Sequence, residues 1–114
     1  MPTLLDLAND RPFTDYANSI DGLSLADALN GDATNMPDTV ISEFAADGST
    51  GPSRMVKRGN LKYMDLEGED FLLFDLSKDP LELENRYDDP GYTASAKELA
   101  TICEGDWDRK AMYN

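Results

Sequence analysis

Glu43 is the carboxylate with the most chemical interest in this chain. It sits between Ser42 and Phe44 in the run from Thr39 to Ala45, TVISEFA, whose β-branched and aromatic content predicts a strand. A carboxylate on such a strand either faces solvent or is buried against a partner, and in either setting it attracts a cation. Asp75, Ser77 and Asp79 repeat the oxygen-ligand spacing of a calcium loop. Pro80 stands where such a loop needs glycine, however, and Arg86 where it needs a bidentate glutamate, so the segment reads as a turn held by its own Asp side chains. Lys57, Arg58 and Lys62 form the one basic cluster, which is either a small anion-facing patch or a set of solvated hairpin charges. The sequence has no histidine, which removes the usual general base, the commonest transition-metal ligand and the Ser/His and Cys/His nucleophile pairs. The single cysteine, Cys103, has no internal disulfide partner, and its helical, apolar setting suits a packed thiol. No residue is assigned as catalytic or as a metal ligand.

The elements that position these residues follow from the pattern of apolar and turn-forming residues. Met1 to Ala8 reads as a short helix, with Pro2 in its first turn and Leu4, Leu5 and Leu7 on its apolar side. A connection crowded with turn formers follows from Asn9 to Gly22, with Phe13 and Tyr16 as anchors to the core. Ser24, three residues before Asp27, predicts a capping-box start to a brief helix that Asn30 and Gly31 end. After the strand at Thr39, in which Val40, Ile41 and Phe44 compete for the buried side, Gly48 to Pro52 is a break. Three more extended pieces follow: Met55 to Lys57, Leu61 to Leu66 and Phe71 to Leu76. Gly59-Asn60 and Gly68-Glu69 mark the reversals, so the expected sheet is an antiparallel meander in chain order. Ser77 to Pro90 is an acidic, turn-rich stretch. Beyond it, Ala94, Ala96, Leu99, Ala100 and Cys103 predict a helix that packs on the sheet, capped by Thr93 or Ser95. The tail from Gly105 carries Trp107 and Tyr113 without a stop signal.

The expected fold is therefore α+β: a small antiparallel sheet of about four strands packed by a C-terminal helix, with a short N-terminal helix. At 114 residues one domain is expected, divided into a lead-in over 1–38, the meander over 39–76 and an acidic turn and helix over 77–114. The abrupt start, with no leader or capping segment, points to a piece of a longer chain. With 23 acidic and 10 basic residues the net charge is −13, a field that repels phosphate backbones and anionic lipid. Nucleic acid and membrane are thus not expected as partners. No stretch approaches the roughly 18 apolar residues that a membrane span needs.

Four phrases, PTLLDLA, DGLSL, MVKRGNLKY and LFDLSKDPLELEN, arrive in an order and spacing that resembles the C-terminal portion of sulfatases of the alkaline-phosphatase superfamily. The resemblance covers nearly the whole chain. ISEFAADGSTGP followed by RMVKRG is most similar to choline sulfatases. The resemblance implies a parent enzyme that hydrolyses sulfate monoesters, choline sulfate among them. It would use a formylglycine nucleophile made within a Cys/Ser-x-Pro-x-Arg motif and a divalent, calcium-like cation. It also implies a cytoplasmic protein and a possible homo-oligomer.

Thr50-Gly51-Pro52-Ser53-Arg54 copies the spacing of that motif, but threonine replaces the nucleophile and the copy falls late in the chain. The resemblance implies that the parent's nucleophile and metal ligands lie upstream, and the remainder of the parent chain is the expected partner. Of the family's functional residues only Glu43 is carried over, as a strand carboxylate facing the quaternary ammonium of the substrate. A stand-alone acidic interaction module, and a small ion-binding domain using the basic cluster or the acidic turns, are the alternatives from other classes.

Overall fold

A computed structural model describes residues 2–8, 22–45 and 51–105. Phe13, Tyr16, Thr50, Trp107 and Tyr113 lie outside them. The chain divides into two compact units, Met1–Pro37 and Asp38–Asn114.

In the first unit, helix α1 (Pro2–Leu7) and the single-turn helix α2 (Ala26–Leu29) are too short to be stable on propensity alone. Side chains tie them together: Thr3 Oγ1 accepts from the Leu25 amide at 3.0 Å, and the Ser24 hydroxyl donates to Asp6 at 2.7 Å. The expected capping box does not form. Ser24 lies one place before the cap position, Leu25, and its hydroxyl accepts from the Ala26 amide while donating to Asp6. Asn30 follows the last residue of α2 and Gly31 takes a positive φ of 95°, as a helix stop requires.

The second unit is a four-stranded antiparallel sheet in chain order: β1 (Thr39–Phe44), β2 (Ser53–Arg58), β3 (Leu61–Leu66) and β4 (Asp70–Asp75). Arg58 pairs with Leu61, leaving Gly59-Asn60 as a two-residue loop with Gly59 at φ 55°. That tip is fastened on both sides: the Gly59 amide donates to Asp38 O, and Asn60 O accepts from the Leu76 amide at 2.8 Å. The second reversal is a three-residue loop between the paired Leu66 and Asp70, and it holds the expected Gly68-Glu69 pair with Glu67 added. Glu67 and Gly68 both take positive φ, and Asp65 draws the turn in by accepting from the Gly68 amide at 2.8 Å.

Alternation assigns the two faces. Ile41, Val56, Tyr63 and Leu73 share one face in register, and helix α3 (Thr93–Glu104) covers it with Ala96, Leu99 and Cys103. Tyr63, Phe71 and Tyr87 extend this core as an aromatic cluster with ring centroids 5.2 to 6.3 Å apart. Cys103 is fully buried there, the packed thiol its setting predicts, whereas Ala94 is exposed. Neither Thr93 nor Ser95 caps α3: Thr93 is already helical, and the chain enters through a 3₁₀ turn, Pro90–Tyr92, capped by Asp89 accepting from the Gly91 amide at 2.8 Å. Val40, Ile41 and Phe44 contend for no buried side, because β1 is an edge strand and all three are exposed. The architecture is the α+β meander and helix that the sequence predicts.

Candidate functional site

The most strongly charged feature of the second unit is a row across its sheet. Register places Glu43 on β1 opposite Arg54 on β2, and Arg54 opposite Asp65 on β3, so one guanidinium stands between two carboxylates on the face that α3 covers. Arg54 is 6% exposed and Asp65 1%. Charges this deep persist only when compensated. Arg54 Nε lies 3.0 Å from Glu43 Oε1, and its Nη1 donates to Cys103 O at 2.7 Å. The second contact puts a cation on the last turn of α3, where the helix dipole is negative. Glu43 is thus neither of the simple cases its strand allows: it is partnered, yet its side chain keeps 40% of its surface open. Arg54 was visible in the sequence only as the end of a motif-like spacing, and nothing local marked it as buried. Its cross-strand position, which no single strand encodes, decides its role.

On the opposite face of the sheet a shallow groove of roughly 210 Å³ opens along Ser42, Phe44, Ser53, Met55 and Met64. The basic cluster does not form a free anion site. Lys57 Nζ donates to Gly59 O, Arg58 bridges Asp38 and Glu98, and Lys62 pairs with Glu82 at 2.6 Å.

The calcium-like spacing is filled by turn chemistry. Asp75 Oδ1 accepts from the Ser77 amide and hydroxyl, and Oδ2 from the Tyr92 hydroxyl at 2.7 Å, with Lys78 Nζ 3.3 Å away. The Ser77 hydroxyl, then the Tyr92 hydroxyl, holds the Asp75 carboxyl well below the usual carboxylate range against the opposing effect of burial. Asp79 turns to the Glu84 amide at 2.8 Å. Among the described residues no group of three or more acidic, cysteine or histidine side chains could hold a metal ion. Threonine at position 50 is not a residue from which a formylglycine forms.

A second hub lies at the outer edge of β4. Asn85 Oδ1 accepts from the Leu73 amide at 2.9 Å, its Nδ2 donates to Phe71 O, and the Arg86 amide donates to Leu73 O at 2.7 Å. The loop thereby continues the ladder where a fifth strand would lie.

The fold and its charge row describe an α+β unit, a meander locked to one helix. No family model matches the chain. It is 38% identical over 119 residues to the choline-sulfatase of Rhizobium meliloti (strain 1021), a match covering 97% of this chain and 22% of that protein. It is 37% identical over 97 residues to the Delta 4,5-hexuronate-2-O-sulfatase of Bacteroides thetaiotaomicron, covering 82% of this chain and 19% of that one. A solved sulfatase from Bacteroides thetaiotaomicron superposes with a TM-score of 0.71 at 32% identity, over 90% of this chain and 22% of its own. The chain belongs with the sulfatases, as a stretch corresponding to their C-terminal subdomain. It spans about a fifth of the length of the relatives it matches.

Proposed function

We propose that the chain is the C-terminal subdomain of a sulfuric ester hydrolase. In this reading it completes the fold and walls the substrate cleft, while the nucleophile and metal site belong to the rest of the parent chain. The observation that carries this is similarity to sulfatases along almost the whole chain, combined with the lack of a nucleophile at position 50. The parent would supply a formylglycine and a divalent, calcium-like cation. The unit from residue 38 onward is the structural core of this subdomain, and the segment before it is a lead-in from the parent. No helix of the described residues is long and apolar enough to cross a membrane, and a cytoplasmic parent is our reading from the resemblance.

For the substrate we favour choline sulfate, with Glu43 as the carboxylate that attracts the quaternary ammonium. A cation of this kind donates no ordinary N–H bond, so recognition depends on charge and on apolar contact. The open part of the Glu43 side chain supports this assignment. Its test is Glu43→Gln in the full-length protein, which is expected to raise KM for choline sulfate while sparing an uncharged aryl sulfate. An equal effect on both substrates would assign Glu43 to holding Arg54 alone. The 114-residue chain by itself is expected to hydrolyse neither ester, and measurable turnover by it would refute the division of labour.

A further inference from the structure

We propose that the groove between helix α3 and the loop that precedes it binds a small zwitterion, an amino-carboxylate with a short apolar body. The groove has a volume of roughly 290 Å³ and is lined by Tyr87, Asp88, Thr93, Ala96, Lys97 and Ala100. The last four share one face of α3 at helical spacing, and the two alanines leave a low apolar floor that longer side chains would fill. Tyr87 is a fixed wall, its ring packed against Phe71 and Tyr63 at centroid distances of 5.2 and 6.2 Å.

Charge decides the occupant. Among the described residues Arg54, Arg58, Lys62, Lys78 and Arg86 are each in an ion pair, and Lys57 Nζ donates to Gly59 O. Lys97 is the exception: among the described residues its ammonium has no acceptor, and the Asp88 carboxylate in the same groove has no donor. Both residues are exposed, so each charge is open to a ligand. Opposite charges that stand apart across an apolar floor match a molecule carrying both on one short chain, its carboxylate at Lys97 and its ammonium at Asp88. A simple anion is repelled by a chain of net charge −13, while a simple cation finds carboxylates all over the surface and meets Lys97 here. A neutral zwitterion feels neither bias, so the local pattern alone selects it. Glu43 is not among the lining residues, and nothing in this assignment depends on the sulfatase reading.

The test is saturation-transfer NMR on the full-length protein with glycine, γ-aminobutyrate and ε-aminocaproate, against butylamine and butyrate as singly charged controls. At least one amino-carboxylate is expected to saturate with a Kd on the order of 10 mM, the scale that two screened ion pairs and one apolar contact support, and neither control is expected to do so. Lys97→Gln and Asp88→Asn should each weaken that binding about 3- to 5-fold. Ala100→Leu, which fills the groove while keeping both charges, should abolish it. Circular dichroism checks the fold of each variant, and the two exposed charge variants carry the test where Ala100→Leu does not fold. No saturation below about 100 mM by any of the three amino-carboxylates overturns the proposal. Equal binding of the controls, or a Kd that both charge variants leave unchanged, overturns it as well. Hydrolysis of sulfate esters is scored separately and bears only on the function proposed above.

Discussion

The two edges of the sheet are handled in opposite ways. At β4 the loop after the strand bends back, and Asn85 with the Arg86 amide occupies the outward-facing groups of Phe71 and Leu73. At β1 the chain spends its sequence on Val40, Ile41 and Phe44, all exposed, with pairing on the β2 side. An edge strand left apolar is a liability in a free-standing protein. Among the described residues the β4 side is finished by the chain's own loop, whereas the β1 edge stays apolar and exposed.

The sharpest way to break this contrast is to cut into the finished side. Leu73 is fully buried beneath α3, and Leu73→Ala removes its packing against Val56, Tyr63 and Leu99. We expect a loss of about 3 kcal/mol by urea unfolding. A loss near zero would show that the core lies elsewhere.

Arg54 links the two sides, so its replacement tests how far they are coupled. Arg54→Met leaves Glu43 and the Cys103 carbonyl without the guanidinium, at an expected cost of about 2 kcal/mol. Glu43→Gln should cost less, under ~1 kcal/mol, because the Glu43 side chain is 40% exposed and water screens the pair. A double-mutant cycle on Glu43 and Arg54 measures the coupling directly. A value indistinguishable from zero would release Glu43 from Arg54 and strengthen its candidacy for the substrate cation.

Asn85→Ala opens the finished edge. It strips one donor and one acceptor contact from β4, for about 1 kcal/mol, and should give the variant a concentration-dependent tendency to associate in light scattering. Stability lost without association would make Asn85 a simple loop anchor.

The same loop sets the acid limit. Because the Asp75 carboxyl is depressed in the folded state, its contribution to stability is complete above the ordinary carboxylate pKa and is lost only as pH falls through its lower, folded value. An Asp75→Asn variant should therefore be less stable than the parent sequence at neutral pH, and the gap should close in strong acid. A gap that stays constant down to that range would assign the loss to packing.

What the sequence made legible follows the range of the forces involved. The meander, its order, the Gly59-Asn60 loop and the α3 stripe of Ala96, Leu99 and Cys103 rest on local patterning, and each is where that patterning places it. The second reversal falls at the expected Gly68-Glu69 pair but takes Glu67 into the loop as well, and Asp65 closes it by accepting from the Gly68 amide. The exposure of Val40, Ile41 and Phe44 was not legible, since an edge strand and a central strand can share one composition. The Glu43–Arg54–Asp65 row was hidden for the same reason: it exists only across three strands. Asp75 was legible as a turn, but its tie to Tyr92, 17 residues on, was not.

The smallest effect tests the open side. Phe44→Ala removes a ring that is 59% exposed, so in the 114-residue chain the change in unfolding free energy should lie within about 0.5 kcal/mol of zero. If the rest of a longer parent chain covers the ring, the same substitution in the full-length protein should cost more, about 1 to 2 kcal/mol, because the ring would there be taken out of water. Thermal or urea unfolding of both forms gives the comparison. An equal small effect in both would mean that the apolar edge remains bare in the parent, and that β1 differs from β4 for a reason other than docking.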